Sequence, residues 1–169
     1  MFLHVWINLS AGQGRLSYAE CTTMNWKWLS FAALAGLVAC IVGLYLSNYA
    51  IFGAGPITIT IQVIAALLMV WARLTFGIRS FHGTANPTAG GLVTTGPYRY
   101  IRHPIYAAIL YFFWAGIAAH ASLVTVAVGL LATAFTAVRI VAEEKLLATT
   151  YPEYAAYARV TKRVVPFVL

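Results

Sequence analysis

The chain has no aspartate and only four glutamates, and charged residues of all kinds make up 9% of its 169 positions. A soluble domain carries roughly a quarter charged residues, so an ordinary water-facing surface is excluded. The 62% of hydrophobic residues and a mean hydropathy of +0.81 identify an integral membrane protein. Cysteine is almost missing: Cys21 and Cys40 have no metal-ligand spacing and Cys40 lies inside an apolar run, so neither a disulfide framework nor a zinc site follows. Repeats and low-complexity tracts are lacking, as are a Ser, His and carboxylate arrangement and a glycine-rich strand-to-helix fingerprint. Hydrolase and soluble nucleotide-fold readings drop out with them. The shortage of acid leaves a net charge of +7. Because the cations stand beside apolar runs, lipid headgroups and the positive-inside rule account for them, and nucleic acid is not implied as a partner.

What is present is a series of apolar runs separated by short polar segments. Residues 1–25 read as an N-terminal extension with no signal-peptide cleavage site, and Met24, directly before Asn25-Trp26-Lys27-Trp28, is a plausible native start. Residues 26–79 hold two generic spans, about Trp26 to Ser47 and Ile57 to Ile78, the first entered through tryptophans. Residues 80–169 hold an irregular connection, two further apolar runs (Pro104 to Ala119 and Ala121 to Val141) and a basic tail with a short interfacial helix around Tyr154 and Tyr157. The two runs predict an antiparallel hairpin in which Ala107, Ala108, Ala115, Gly116 and Ala118 face Ala127, Gly129, Ala132 and Ala134. Every Lys and Arg falls at one side of this arrangement, which predicts four spans with both termini in the cytoplasm.

Polar chemistry concentrates in one place. Gly96 to Tyr106 packs two arginines, a histidine and three tyrosines into eleven residues at the entrance to the third span. Pro104 suits the first turn of a helix, which puts His103 at the helix mouth. Judged alone, His103 reads as a helix-entry histidine bonded to local backbone. Arg139 and Glu143 lie four apart on one helix face and read, by themselves, equally as a structural ion pair. A hairpin, however, carries the start of the third span to the end of the fourth. The residues thus imply a pocket containing Arg, Glu, His and Tyr at lipid depth, and they name no reaction.

Leu92-Val93-Thr94-Thr95-Gly96-Pro97-Tyr98, Arg102-His103-Pro104-Ile105-Tyr106, Glu143-Glu144, Tyr154, Tyr157 and Pro166-Phe167 follow one another at telling intervals. From about Gly90 to its end the chain resembles the isoprenylcysteine carboxyl methyltransferase family of integral membrane enzymes. The resemblance implies an all-α, polytopic bundle with a cytoplasm-facing pocket for S-adenosylmethionine. Carried over by position, Gly90, Gly91, Leu92, Val93 and Tyr98 approach the cofactor. His103, Pro104, Ile105 and Tyr106 line the same pocket, Glu143 binds the cofactor's polar end, and Arg139 faces the substrate. The implied partners are membrane lipids and a lipophilic or lipidated acceptor entering from the bilayer; no metal is implied. Where the family usually has glycine two residues after the motif tyrosine, this chain has Ala108. An ionised carboxylate acceptor needs no general base, whereas an amine such as a phospholipid headgroup would need one, for which His103 or Glu144 stands ready. A small-thiol acceptor, a membrane reductase with a nicotinamide cofactor and a non-catalytic scaffold are the other readings.

Overall fold

The computed structural model of the protein describes residues 26–47, 50–77 and 91–165. The N-terminal extension with Met24, and also Arg79, His82, Gly90 and Pro166-Phe167, lie outside the described residues. Among those described there are five α-helices, α1 (Trp26–Leu46), α2 (Pro56–Phe76), α3 (Pro104–Ala119), α4 (Leu123–Thr150) and α5 (Tyr154–Val160), with a 3-10 turn at Gly96–Arg99 and no strand. Helices α1, α2 and α4 are long and apolar enough to cross a membrane, and the fold is a membrane helical bundle.

Local chemistry sets the helix ends. Pro56 and Pro104 occupy first turns, where a missing N–H goes unmissed. Ser122 caps α4 by accepting from the Thr125 amide at 3.1 Å, while the Thr125 hydroxyl is in turn bonded by the Ser122 amide at 2.9 Å. Helix α4 has 28 residues, a length of about 42 Å against roughly 30 Å of hydrocarbon. One end must therefore protrude, and the charged run Glu143-Glu144-Lys145 marks which. Helix α3 has only 16 residues, about 24 Å, and falls short of a straight crossing.

The hairpin of α3 and α4 forms as expected, closed by His120, Ala121 and Ser122, but its seam has a different composition. Trp114 Nε1 donates to Thr133 Oγ1 at 3.1 Å, Ile117 lies on Gly129, and Tyr106 reaches Arg139. Ala118, Ala127 and Ala134 are exposed, a correction to the small-residue seam. Helix α3 instead spends its small face on α2 and on the loop before it. A Cβ at Gly116 would overlap the Ile51 carbonyl, so it is the α1–α2 loop that needs the close approach. Nor is α1 generic: it packs along α4 through Phe135 over Gly36, Arg139 at Ser30 and Lys145 Nζ 4.0 Å above the Trp26 ring.

At the uncharged end, Gln62 gathers three segments. Its Oε1 accepts from the Gly53 amide at 2.8 Å, and its Nε2 donates to Ile51 O at 2.7 Å and Phe112 O at 3.0 Å. His120 Nε2 meets Phe52 O at 3.0 Å beside it. This end of α3 is thereby pinned to the α1–α2 loop, which leaves the opposite end to be finished by other parts of the chain. Gly116→Ala should lower stability by about 1–3 kcal/mol because backbone must move. Gly43→Ala, whose Cβ meets nothing within 4 Å, should be neutral or slightly stabilising. Thermal unfolding of the two variants in one detergent checks the contrast.

Candidate active site

The charged end is assembled from α3, α4 and two non-helical segments. Gly96 has φ +58°, and a Cβ there would sit 2.5 Å from Thr75 Oγ1, so glycine is required for the 3-10 turn to lie against the end of α2. The turn buries Tyr98, whose ring lies 5.5 Å from that of Phe76. Ile101 then pairs in a parallel bridge with Lys162, the Arg102 amide donates to Lys162 O at 2.6 Å, and the His103 amide donates to Arg163 O at 3.0 Å. Residues 161–165 thus form a strap across the entrance of α3. Tyr157 reinforces it by donating to Tyr98 O at 2.7 Å, and Tyr111 by donating to Val164 O at 3.0 Å. Burial pushes the Tyr157 phenol up to about 12 and lifts that of Tyr98 well above its ordinary value, with Tyr157 and Glu143 adding to the latter. Both hydroxyls therefore stay protonated, as the Tyr157 donor must.

Two carboxylates divide the site. Glu143 Oε1 accepts from the Tyr106 hydroxyl and lies 3.4 Å from Arg139 Nη2. Arg139 Nε donates to the same Tyr106 oxygen, and its Nη1 donates to Ser30 O at 3.2 Å. Arg139 is 5% exposed, so this guanidinium is buried and paired, as a charge at this depth must be. Glu144 faces the strap: Arg102 Nε is 3.0 Å from Oε1, and Arg163 reaches Oε2 through Nη2 at 2.9 Å and Nε at 3.1 Å. Arg102 Nη1 also donates to the carbonyls of Ala158 and Thr161. His103 stands between the two acids, Nδ1 3.7 Å from Glu143 Oε2 and Nε2 3.4 Å from Glu144 Oε1. It is the N-cap of α3 but makes no side-chain cap. The local-backbone reading of this histidine is therefore corrected: its ring is committed to the carboxylates. Three guanidinium groups against two carboxylates leave one positive charge in excess, His103 aside.

Of the residues that sequence singled out, His103, Tyr106, Arg139 and Glu143 come together directly. Pro104 and Ile105 form the first turn of α3 beside them, and Tyr98 lies close enough to feel the Glu143 charge. Gly91, Leu92 and Val93 lie in irregular chain before the 3-10 turn, exposed or half-buried, with Gly91 at φ +79° and nothing within 4 Å of where its Cβ would be. Sequence reasoning missed Ser30, whose carbonyl holds Arg139 and whose buried Oγ has no partner among the described residues. The only available signal was a hydroxyl inside an apolar run. It also gave Arg102 and Arg163 no task, because the carboxylate they share lies at 144, far along the chain from Arg102.

The Arg139, Tyr106, Glu143 and His103 cluster thus closes the charged end of a helical membrane bundle. The chain belongs to the phospholipid methyltransferase family, whose model matches residues 50–154, and that family falls in one superfamily with the isoprenylcysteine enzymes. The matched range contains His103, Tyr106, Arg139, Glu143 and Glu144. No curated protein and no solved structure matches the chain. Among the described residues Glu143 Oε2 has only the long approach of His103, and its side chain is 21% exposed, so this oxygen is placed to meet a cationic group.

The two arginines on Glu144 should behave differently. Arg102→Ala removes a cation only 11% exposed and leaves a mostly buried carboxylate and two carbonyls short of a donor, which should cost about 3 kcal/mol or more. Arg163 is 55% exposed, so Arg163→Ala should cost less than about 1 kcal/mol. Denaturant titration in mixed micelles gives both values.

Proposed function

We propose that the protein transfers a methyl group from S-adenosylmethionine to a lipophilic acceptor bearing an anionic group, which reaches the site through the bilayer. Carboxyl O-methylation of an isoprenylcysteine-like lipid acid is the foremost form of this reading. The observation that carries it is the buried Arg139, Tyr106 and Glu143 network at the charged end of a membrane bundle in a methyltransferase family, beside a second group in which Arg102 and Arg163 share Glu144 and leave one cation in surplus. The distribution of Lys and Arg supports a cytoplasmic orientation for this end.

The cofactor supplies an electrophilic methyl group on a sulfonium. The chain's task is then alignment, charge compensation and exclusion of water. Glu143 Oε2, lightly engaged, offsets cationic charge, while Tyr106 keeps the other oxygen and Arg139 Nε in register. Two contacts of the Arg139 Nη edge, to Ser30 O at 3.2 Å and to Glu143 at 3.4 Å, lie at the long end of hydrogen-bonding distance. These long contacts exchange readily for a bidentate grip on a carboxylate, which presents an oxygen for in-line attack without any proton transfer. Gly91, Leu92, Val93, Tyr98, Pro104 and Ile105 complete the cofactor's surroundings in this reading.

The family match favours a second reading, N-methylation of an amino phospholipid headgroup. Its phosphate would meet the surplus cation, but its ammonium must first lose a proton. Glu144 is held by Arg102 and Arg163, and His103 faces carboxylates with both nitrogens, so a base would have to be released from its partners.

Purified protein given methyl-labelled S-adenosylmethionine with either a lipophilic carboxylic acid or phosphatidylethanolamine separates the two. An ester product releases volatile label in base; a methylated amine does not. The expected result is base-labile label on the acid, reduced by about a hundredfold or more in Arg139→Ala with S-adenosylhomocysteine affinity within about threefold of wild type. Base-stable label on the phospholipid would select the second reading, and absence of both transfer and cofactor binding would overturn the proposal.

A further inference from the structure

The strap and α5 present a second, outward-facing chemistry. Packing buries Tyr98, Ile101, Tyr154 and Thr161, and it turns the residues beside them to the outside. Arg99, Tyr100, Arg159, Val160 and Lys162 are all exposed, Tyr100 to 52% and Val160 to 81%. These residues form one continuous surface. Arg159 and Val160 end α5 directly before Thr161, the Lys162 amide donates to Tyr100 O at 3.2 Å, and Arg99 adjoins Tyr100. Among the described residues no carboxylate pairs with Arg99, Arg159 or Lys162. Glu143 is held by Arg139 and Tyr106, Glu144 by Arg102 and Arg163, and Glu153 stands before the far end of α5.

The depth of this surface follows from its anchors. It hangs on the entrance of α3 and on the protruding end of α4, where Lys145 covers Trp26 and Trp28 is exposed, the interfacial aromatic pattern of a headgroup layer. Unpaired cations at that level meet headgroup phosphates, and an exposed valine and tyrosine between them enter the boundary below. An acidic peptide would satisfy the cations but leave Val160 in water. We propose that Arg99, Arg159 and Lys162, with Tyr100 and Val160, form a binding surface for anionic phospholipid headgroups, separate from the Arg139 site. The strap it holds is the one whose carbonyls accept from the Arg102 and His103 amides, so lipid bound there also fixes the entrance of α3.

The test titrates dioctanoyl phosphatidylglycerol, dioctanoyl phosphatidylcholine and glycerol phosphate into the detergent-purified full chain. Wild type should bind the phosphatidylglycerol more than about tenfold tighter than the phosphatidylcholine. In the triple variant Arg99→Gln, Arg159→Gln, Lys162→Gln that preference should disappear, at about fivefold per cation removed, with the melting temperature unchanged because all three side chains are exposed. Equal binding of the two lipids by wild type overturns the proposal. So does a triple variant that keeps the preference, since the lipid would then sit elsewhere, or glycerol phosphate binding as tightly as the lipid, which would mark a plain anion site. No methyl transfer is measured, so the outcome stands apart from that of the enzyme reading.

Discussion

A guanidinium at membrane depth must be neutralised and hydrogen-bonded or it will not stay there, and Arg139 is that guanidinium. Three of its partners come from different parts of the bundle: Tyr106 from α3, Glu143 from one turn further along α4, and the Ser30 carbonyl from α1. The need to satisfy one cation thus draws three helices to a common point. The same need explains why the hairpin seam is not lined by small residues alone. Close alanine packing would leave no room for Tyr106 between the backbones, and the small residues are accordingly used on the α2 side, where Gly116 admits the Ile51 carbonyl.

Adjacent acids on one helix turn by about 100° relative to each other, and that rotation separates two tasks. Glu143 points into the bundle toward Arg139, and Glu144 points toward the strap. His103, placed between them by its position at the head of α3, is the one side chain that touches both. Burial, then the Glu144 charge, holds the Tyr154 phenol well above its ordinary value, so α5 is read into the same electrostatic group. Inner site and outer strap form one coupled cluster, in which loosening the strap disturbs the histidine.

Local chemistry made some of this legible in the sequence. Apolar run lengths place the helix starts within a few residues, although α4 runs on to Thr150, well past the apolar run that ends at Val141. The four-residue spacing of Arg139 and Glu143 foretells their pairing, and a helix starting at Pro104 foretells His103 at its mouth. Long-range choices were not legible. Nothing in composition says that Gln62 will bind Phe112 O rather than snorkel, that Ala118, Ala127 and Ala134 will face outward, or that a serine carbonyl on α1 will complete an arginine on α4. Backbone acceptors are the same at every residue, so a contact made through Ser30 O or Arg163 O leaves no trace in side-chain patterning. The Glu144 ion pairs were illegible for a related reason: a basic tail at a membrane surface reads first as a lipid anchor, which hides Arg163, and Arg102 lies far along the chain from the carboxylate it meets.

The shortness of α3 ties these points together. Its far end is fixed by the Gln62 and His120 contacts at the uncharged face, so a helix of about 24 Å stops several ångströms short of the opposite boundary of a roughly 30 Å core. A full-length span would have carried Pro104 to the headgroups and put the Arg139 network in water, where its hydrogen bonds would be worth little. Stopping early leaves the level above Pro104 to other parts of the chain, and the turn at Gly96 with the strap at 161–165 occupies it from the polar side. In the proposed reaction an acceptor with its tail in lipid would need only to slide its head along the bilayer to reach Arg139, whereas a water-soluble cofactor would come from the strap side. Two reactants that share no solvent would then meet where neither has to leave its own.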